Sequence, residues 1–489
     1  MRNLLALQTT QWRYGLAPFL VSGALLASPA SAAPCAVGPE SSNRTDADTP
    51  AAPADGALGR LLFGEAFGSN SGLKLGGWVE GGFVMNDHIH RSEGAGNTPV
   101  ALGRDTGFQL NQATVFFQKD IRTNVIPRVT PTPAPMPQDY SFGWRAQALY
   151  GRDGQVFQTY GWDSRWPVNK PGNYDAAEAQ ENRQLFLVVP ELYLQGYLPW
   201  YKGMSFLFGT FMSPCGREIG MNPAQTPNFF YSHTYTLESE PVSQSGLLWD
   251  ALLVDHKGFG LLSVEAGITN GWSNLTRNNK NPTYDLILHY RTMDMRTWVD
   301  LVTITGNGAA NSDMVGFPQD TGDRWFGDRV NAPTTRVISP RAQNRSEAAL
   351  DLYREFTGRF KAVLEFTYGK MQGDGQADTV DIVTGPGFTG ATWGSINFEA
   401  QYQLTRNLSA AFRAETFHDP DGFILFPNAS AKGNMNEVTT GVQWQALKAL
   451  MVRPEVRCDW QSRNGGDHAF AGGTKDKQVT FMADAIYRF

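Results

Sequence analysis

The chain has 489 residues, which is enough for two or three soluble domains or for one large barrel. Charged residues make up 18% and aromatic residues 12%, and there are 51 glycines, a balance that suits a strand-rich wall facing lipid but also a large extracellular β-protein. The formal net charge of -6 argues against nucleic acid as a partner, because binding it requires a basic patch.

Residues 1–32 have the pattern of a secretory signal peptide. Arg2 and Arg13 precede the apolar run Leu16–Leu26, and Ala30-Ser31-Ala32 supplies a small-x-small cleavage site. After this segment the sequence contains no run of 18 apolar residues, so no spanning helix is predicted. An exported chain of this kind is either a soluble protein outside the cytoplasm or a β-barrel in the membrane.

Residues 33–71 are predicted to be a mobile periplasmic lead-in. This stretch is rich in Ala, Pro, Ser and Asp and lacks periodicity, with a short helical turn expected at Leu58–Phe63. The three cysteines Cys35, Cys215 and Cys458 are too few, and odd in number, for a disulfide scaffold, and no metal-ligand spacing relates them. Cys35 follows a proline, which does not fit lipoprotein processing.

Residues 72–489 contain sixteen segments in which apolar and polar residues alternate, the pattern of strands with one face in lipid. A tilted strand needs about 9–11 residues to cross a bilayer, which matches their lengths. The predicted strands are Gly72–Val84, Gly107–Gln118, Ser141–Tyr150, Leu185–Gly196, Met204–Met212, Gly246–Val254, Gly260–Asn270, Tyr284–Arg291, Thr297–Thr305, Glu347–Phe356, Arg359–Lys370, Ser395–Leu404, Asn407–Phe417, Glu437–Leu447, Leu450–Gln461 and Gln478–Phe489.

The last of these segments ends on an aromatic residue of its apolar face, as the closing strand of an outer-membrane barrel does. We therefore expect the C-terminal strand to engage the barrel-assembly machinery. Pro190 and Pro454 conflict with their strands, since proline removes a ladder donor, and a bulge or local edge is expected at each.

The predicted connections alternate between short turns and long loops, which is typical of an up-and-down outer-membrane barrel. This parity places both chain ends at the short-turn, periplasmic rim. One connection, Lys119–Tyr140, is long although it lies on the short-turn side. Its five prolines predict a stiff extended excursion, not a missed strand.

The fold class that follows is all-β: a transmembrane up-and-down antiparallel β-barrel of about 16 strands (range about 14–18), preceded by a signal peptide. An unpaired amide in hydrocarbon costs several kcal/mol, so only a closed sheet is admissible there. About sixteen strands leave a water-filled lumen lined by the polar faces. The predicted location is the outer membrane of a Gram-negative cell.

A search for catalytic signatures finds no G-x-S-x-G, no H-E-x-x-H and no phosphate-binding glycine loop. His88 and His90 form an H-x-H in the first long loop and are interpreted as exposed loop residues. Ser263 and Glu265 alternate on a strand without a histidine nearby in sequence. We therefore predict no enzyme activity, no cofactor and no metal.

The better functional candidates are inward charges that would set the field across a pore, although such charges could equally pair with one another and keep the lumen wet. The pore-lining candidates are Arg145, Arg217, Glu218, Glu399, Arg413, Glu415, Arg453, Glu455, Arg457 and Asp459. Arg217 and Glu218 lie in the loop Ser213–Ser245, which is long enough to fold inward as a constriction or to form a surface lid.

Four phrases carry a family resemblance: K-L-G-G-W-V-E-G-G-F at Lys74–Phe83, F-Q-L-N-Q-A at Phe108–Ala113, F-G-T-F-M-S-P-C-G-R-E at Phe208–Glu218 and N-F-F-Y-S-H-T-Y-T at Asn228–Thr236. They resemble the OmpL-like β-barrel porin family, over about Leu73 to Phe489. The resemblance implies a porin-type outer-membrane channel and defines no functional residues. Cys215 and the proline-rich stretch near Pro131 depart from the family pattern.

The sequence thus favours a channel for small hydrophilic solutes or ions, in contact with outer-membrane lipid and forming a homotrimer. Two alternatives stay open at this point. One is an outer-membrane enzyme or receptor on a barrel scaffold, and the other is a secreted soluble β-protein.

Overall fold

The fold was obtained as a computed structural model. It describes residues 57–64, 72–87, 107–127, 130–155, 157–159, 161–169, 185–218, 228–275, 281–307, 344–373, 380–381, 385–386, 390–425, 432–463, 468–470 and 474–489. The predicted signal peptide, most of the predicted lead-in, His88 and His90 lie outside these residues. Within the described residues, no helix has both the length and the apolar character needed to cross a membrane.

Sixteen strands pair in sequence order, each antiparallel to the next, and close into one barrel. The barrel strands are β1 Leu73–Asn86, β2 Gly107–Lys119, β5 Ser141–Gly151, β6 Phe186–Leu198, β7 Met204–Met212, β8 Ser243–His256, β9 Gly260–Thr269, β10 Thr283–Arg291, β11 Thr297–Asn307, β12 Asn344–Thr357, β13 Phe360–Gln372, β16 Gly390–Gln403, β17 Leu408–Asp419, β18 Gly433–Leu447, β19 Leu450–Arg463 and β20 Lys477–Arg488. All sixteen predicted segments are therefore confirmed as barrel strands.

The remaining elements are short. Two two-stranded ladders lie outside the barrel sheet, β3 Val125–Ile126 with β4 Thr130–Pro131, and β14 Val380–Asp381 with β15 Gly385–Pro386. The helix α1 spans Ala57–Phe63 and confirms the predicted turn. Short 3-10 turns occur at Arg152–Gln155, Asp163–Arg165, Pro167–Asn169 and Thr236–Glu238.

The barrel closes between β1 and β20. Beyond the paired strands, the N–H of Gly77 donates to the carbonyl of Phe489 at 2.9 Å, and the N–H of Phe489 donates back to Gly77 at 3.0 Å. This pairing matters because a sheet edge in hydrocarbon would leave main-chain donors and acceptors unsatisfied. The sheet therefore has no open edge between its first and last strands.

Each barrel strand presents one face to lipid and one to the lumen, as the period of two predicts. On β20 the side chains of Phe481 and Tyr487 are exposed, whereas Thr480 and Asp484 are buried inside. Cys458 is exposed on the outer face, as predicted from its place in the alternation. The lumen is consequently lined by polar and charged side chains.

Both prolines inside strands are accommodated as predicted. Pro190 on β6 lies where the register against β5 shifts between Gln147 and Leu149, and it precedes the first residue paired with β7, Leu192. Pro454 on β19 pairs with Ala483 of β20 but falls in a gap of the ladder with β18. Each proline thus avoids the position at which its missing N–H would be needed.

The short connections lie at one rim and the long ones at the other, in agreement with the predicted parity. Short turns span residues 199–203, 257–259, 292–296, 358–359, 404–407 and 448–449. The exception is again 120–140, which carries β3 and β4. Val125 of this segment packs against Leu252, Leu261 and Met295, so the excursion folds inward at the short-turn rim.

Candidate functional site

The connection between β7 and β8, residues 213–242, folds into the barrel and is called the inner loop below. Its described parts are 213–218 and 228–242. The inner loop carries four aromatic side chains that are almost fully buried, namely Phe229, Phe230, Tyr231 and Tyr235. Of the two arrangements that the sequence allowed, a constriction and a surface lid, the structure shows the inward one.

Arg453 on β19 binds the middle of the inner loop. Its Nη1 donates to the main-chain carbonyls of Asn228 at 2.6 Å and Phe230 at 3.0 Å. The same guanidinium is held on the wall by Asp484, through an Nε contact of 3.0 Å, and by Glu80, 3.1 Å from Nη2. A planar guanidinium with five donors can make these contacts at once.

Two further arginines of the same wall repeat this arrangement. Arg413 on β17 donates to the carbonyl of Ser232 at 2.9 Å and pairs with Glu437 at 2.6 Å. Arg457 on β19 donates to the carbonyl of His233 and pairs with Asp459 at 2.8 Å. These inward arginines therefore bind the main-chain carbonyls of the inner loop and fix it to the barrel wall.

Carboxylates of the same wall accept the inner loop's backbone N–H groups. Glu455 accepts from Tyr231 at 2.7 Å and from Ser232 at 3.0 Å. Glu415 accepts from Tyr235 at 2.6 Å and from Thr236 at 2.8 Å. Each side chain accepts from two consecutive backbone N–H groups, so the two glutamates fix the path of the inner loop.

Asp459 completes the set of wall carboxylates that touch the inner loop. It accepts the phenolic O–H of Tyr235 at 2.6 Å, while its other contact is to Arg457. The buried tyrosine hydroxyl thereby finds the partner that a group of this kind needs in a protein interior.

Arg217 and Glu218 attach the start of the inner loop. Arg217 pairs with Glu399 on β16 at 3.2 Å. Glu218 accepts from the N–H of Thr234 at 2.8 Å and pairs with Arg413 at 3.2 Å. Burial alone would raise the pKa of Glu218, but the hydrogen bond from His233 and the positive charges of His233 and Arg413 lower this pKa to about 2.

Arg145 lies apart from the other predicted residues. It pairs with Glu191 on β6 and donates to Gln118 on β2 and to Gln147 on its own strand. Its guanidinium also lies 4.8 Å from the ring centroid of Phe116. The structure thus brings nine of the ten predicted residues to the inner loop and places Arg145 in a separate wall cluster.

The wall formed by β8 to β13 has a different charge balance. Its inward positions hold eight carboxylates: Asp250, Glu265, Asp285, Asp300, Glu347, Asp351, Glu355 and Glu365. The basic groups on the inward positions of these strands are Arg291, Arg345, Lys361 and His289. We call this surface the acidic wall, because its carboxylates outnumber its cations.

Sequence reasoning missed acidic partners of Arg413 on β17 and of Arg453 and Arg457 on β19, a surface called the arginine wall below. Glu437, Asp484 and Glu80 were placed on strands, but they were not singled out, although the same alternation that turned the arginines inward applies to them. It also missed Gly82, where an added Cβ would come within 2.3 Å of the Tyr231 hydroxyl oxygen. The glycine makes room for the inner loop.

Ser263 and Glu265 do meet a histidine in the folded chain. His289 on β10 is the register partner of Ser263, and its Nε2 lies 3.5 Å from Glu265. The Nδ1 atom of His289 contacts Asp300 at 2.8 Å. Among the described residues no hydrogen bond joins Ser263 Oγ to His289, so serine and histidine are not coupled as nucleophile and base.

Comparison with protein families identifies the barrel. Residues 72–489 match the family described as "Putative beta-barrel porin-2, OmpL-like". The chain belongs to this family. Its location is accordingly the outer membrane, and its function is that of a porin-type channel. The family and the fold indicate a channel rather than an enzyme.

Solved structures with the same architecture are distant in sequence. The outer membrane channel DcaP of Acinetobacter baumannii is 12% identical, with 86% of this chain and 98% of that chain covered and a TM-score of 0.47. The anion-selective porin from Comamonas acidovorans is 8% identical, with 85% and 99% covered and a TM-score of 0.48. OprB of Pseudomonas putida is 10% identical, with 90% and 100% covered and a TM-score of 0.46. No curated protein matches the sequence.

Proposed function

We propose that this porin conducts small hydrophilic solutes through a lumen narrowed by the inner loop, with a preference for cations. The observation that carries the preference is the acidic wall on β8 to β13, where inward carboxylates outnumber cations. Rings or surfaces of Asp and Glu favour cation passage, because they stabilise a cation that has lost part of its hydration shell.

The arginine wall does not offset this bias. Arg413 is paired with Glu437 and Glu218, Arg453 with Asp484, and each also donates to inner-loop carbonyls. An arginine that is paired and covered in this way contributes little net field to the passage. Arg413, Arg453 and Arg457 thus act as anchors of the constriction. The acidic wall, where carboxylates outnumber cations, supplies the net negative charge.

A planar-bilayer recording tests both parts of the proposal. Folded protein is inserted into a neutral bilayer, and single-channel current is measured in symmetrical KCl and then across a KCl gradient. We expect discrete conductance steps and a reversal potential with the sign of K⁺ permeation. Steps with a reversal potential of the opposite sign would overturn the cation preference. Folded protein that gives no steps would overturn conduction itself.

We also propose the assembly and processing that the sequence predicts. The porin forms a homotrimer in outer-membrane lipid, its C-terminal strand is read by the barrel-assembly machinery, and residues 1–32 are removed, leaving 33–71 in the periplasm. Chemical cross-linking of membranes tests the trimer, and N-terminal sequencing of the exported protein tests the cleavage. A monomeric band or an intact Met1 would contradict the respective proposal.

A further inference from the structure

A cluster of three potential metal ligands lies where the two ends of the inner loop meet the acidic wall. Cys215 lies at the start of the inner loop, Glu240 near its end, and Glu347 on β12. The Cys215 Sγ and one carboxylate oxygen from each glutamate lie within 4.8 Å of one another. All three residues are buried, with 4%, 5% and 2% of their surfaces exposed.

Glu240 supplies the observation that points to a ligand. Its Oε1 atom is buried and has no hydrogen-bond partner among the described residues. An unsatisfied carboxylate oxygen inside a protein is costly, by about 1–3 kcal/mol or more for a charged group. The carboxylate also packs closely on Gly216, where an added Cβ would lie 1.7 Å from its Oε2 atom.

The second glutamate is positioned by its surroundings. Trp393 Nε1 donates to Glu347 Oε2 at 2.8 Å, which leaves Oε1 facing Cys215 Sγ at 3.8 Å. Such a hydrogen bond from a neighbouring side chain to a carboxylate is the arrangement that orients metal ligands in known sites. The cluster therefore has two carboxylate oxygens and one sulfur directed at a common point.

The charges around the cluster favour a divalent cation. The guanidinium of Arg345 lies 4.7 Å from the ring of Trp272 and 5.0 Å from that of Trp393, next to Glu347. Asp285, Asp351 and Glu365 face the same region from β10, β12 and β13. One thiolate, two carboxylates and Arg345 would be neutralised as a group by a single doubly charged ion.

We propose that Cys215, Glu240 and Glu347 form a binding site for a divalent transition-metal ion of the Zn²⁺ type. A thiolate ligand selects such ions over Mg²⁺ and Ca²⁺, which prefer oxygen. Three protein ligands leave one position of a tetrahedral Zn²⁺ ion for water or solute. The bound ion would fasten both ends of the inner loop to β12.

The test uses the full chain with Cys35 and Cys458 replaced by serine, so that Cys215 is the single thiol. The folded protein is titrated with Zn²⁺ against a chromogenic chelator, and with Co²⁺ while near-ultraviolet absorption is recorded. We expect one ion per chain and a sulfur-to-cobalt charge-transfer band. Changing an orienting residue around a metal typically weakens binding about 10–100-fold, so we expect at least that loss for Cys215→Ser and for Glu240→Gln.

Glu238→Gln is the matched control, because it removes a carboxylate of the inner loop that is outside the cluster. The proposal is overturned if the folded protein binds no stoichiometric Zn²⁺, or if Cys215→Ser and Glu240→Gln bind as tightly as the control. Folding of every variant is checked by heat-modifiable migration on gels.

A second measurement keeps the proposal falsifiable if the cysteine variant does not fold. Hydrogen exchange of residues 213–218 and 228–242 is measured in the otherwise unchanged single-thiol protein, with and without Zn²⁺. We expect the ion to slow exchange, because it would fasten both ends of the inner loop to β12. Equal exchange with and without the ion would overturn the proposal. Neither binding measurement depends on whether the barrel conducts.

Discussion

Glu415 on β17 accepts the backbone N–H of Tyr235 at 2.6 Å, across 180 residues of sequence. A second bond, from the N–H of Thr236 at 2.8 Å, reaches the other oxygen of the same carboxylate. One wall side chain therefore fixes two consecutive residues of the inner loop. The geometry of the constriction therefore depends on such long-range pairs.

Replacing Glu415 by alanine should loosen the inner loop. Each buried N–H that loses its acceptor costs roughly 1–3 kcal/mol, so the segment around Tyr235 should detach from β17 without unfolding the barrel. We expect a larger mean single-channel conductance and more current noise. Thr416→Val, on the neighbouring lipid-facing position, should leave both unchanged. A quiet channel of wild-type conductance in Glu415→Ala would contradict the anchoring role.

Two adjacent glycines on β1 should differ sharply in their tolerance of alanine. At Gly82 the new methyl group would meet the Tyr231 hydroxyl oxygen at 2.3 Å, whereas at Gly81 the first neighbour is a carbonyl oxygen at 3.8 Å. Hydrogen exchange followed by mass spectrometry should show faster exchange of residues 228–236 in Gly82→Ala. Gly81→Ala should exchange like the wild type, and equal behaviour of the two variants would refute the steric argument.

The acidic wall should set ion preference. Asp351→Asn combined with Glu365→Gln removes two neighbouring carboxylates, which are register neighbours on β12 and β13. The reversal potential in a KCl gradient should move toward zero by a measurable fraction of its wild-type value. Asp255→Asn, at an exposed position near the short-turn rim, is the control. An unchanged reversal potential in the double variant would show that Asp351 and Glu365 of the acidic wall do not set the ion preference.

Acid should release the inner loop through Glu218. Its pKa in the folded protein is lowered to about 2 from an ordinary value of 4.5, after the opposing effect of burial is overcome by His233 and Arg413. A depressed carboxyl pKa stabilises the folded arrangement above the ordinary pKa, and this stabilisation is lost as the pH falls toward the folded value. Conductance should therefore change between pH 4.5 and 2.

The control for this pH effect is Glu218→Gln, which cannot titrate at this position. In that variant the conductance change in the acid range should be largely absent, and the constriction should already be loosened at neutral pH. If the variant and the wild type follow the same acid profile, a different group controls the response.

The Arg145 cluster should contribute to barrel stability and not to conduction. Its guanidinium pairs with Glu191 at 2.5 Å in a buried position. Breaking a buried pair by removing one partner costs about 3–5 kcal/mol, because a charge is left without compensation. Arg145→Met should lower the urea midpoint of unfolding in detergent. The double variant Arg145→Met, Glu191→Met should recover most of the loss, and no recovery would show that the pair is not the source.

The strands could be predicted because a sheet between lipid and a wet lumen requires side-chain polarity to alternate with a period of two residues. β7 was predicted with both ends correct: Gly203 precedes Met204–Met212, and Ser213 and Pro214 follow it. β18 was predicted to begin at Glu437 but begins at Gly433. In Gly433 to Asn436 the polar residues Asn434 and Asn436 share a face with Val438, which reverses the pattern of the segment that follows. These residues nevertheless pair with β17, so hydrogen bonding continues where the regular pattern stops.

The path of the inner loop could not be predicted in the same way. The sequence placed Arg413, Arg453 and Arg457 on inward faces, but it held no signal that their partners would be main-chain carbonyls some two hundred residues away. Backbone acceptors have no side-chain signature. For the same reason the ligand cluster of Cys215, Glu240 and Glu347 has no spacing motif.

The inward fold of residues 120–140 has its own consequence for transport. Thr123 contacts Ser205 at 2.8 Å, and Val125 packs on Leu261, which places this segment against the lumen side of β7 and β9. We therefore expect a permeating solute to pass two obstacles one after the other, with resistances that add like resistors in series. Loosening the inner loop can raise the current only to the limit that the proline-rich segment sets. A variant in which both segments are loosened should conduct more than a variant in which only one is loosened.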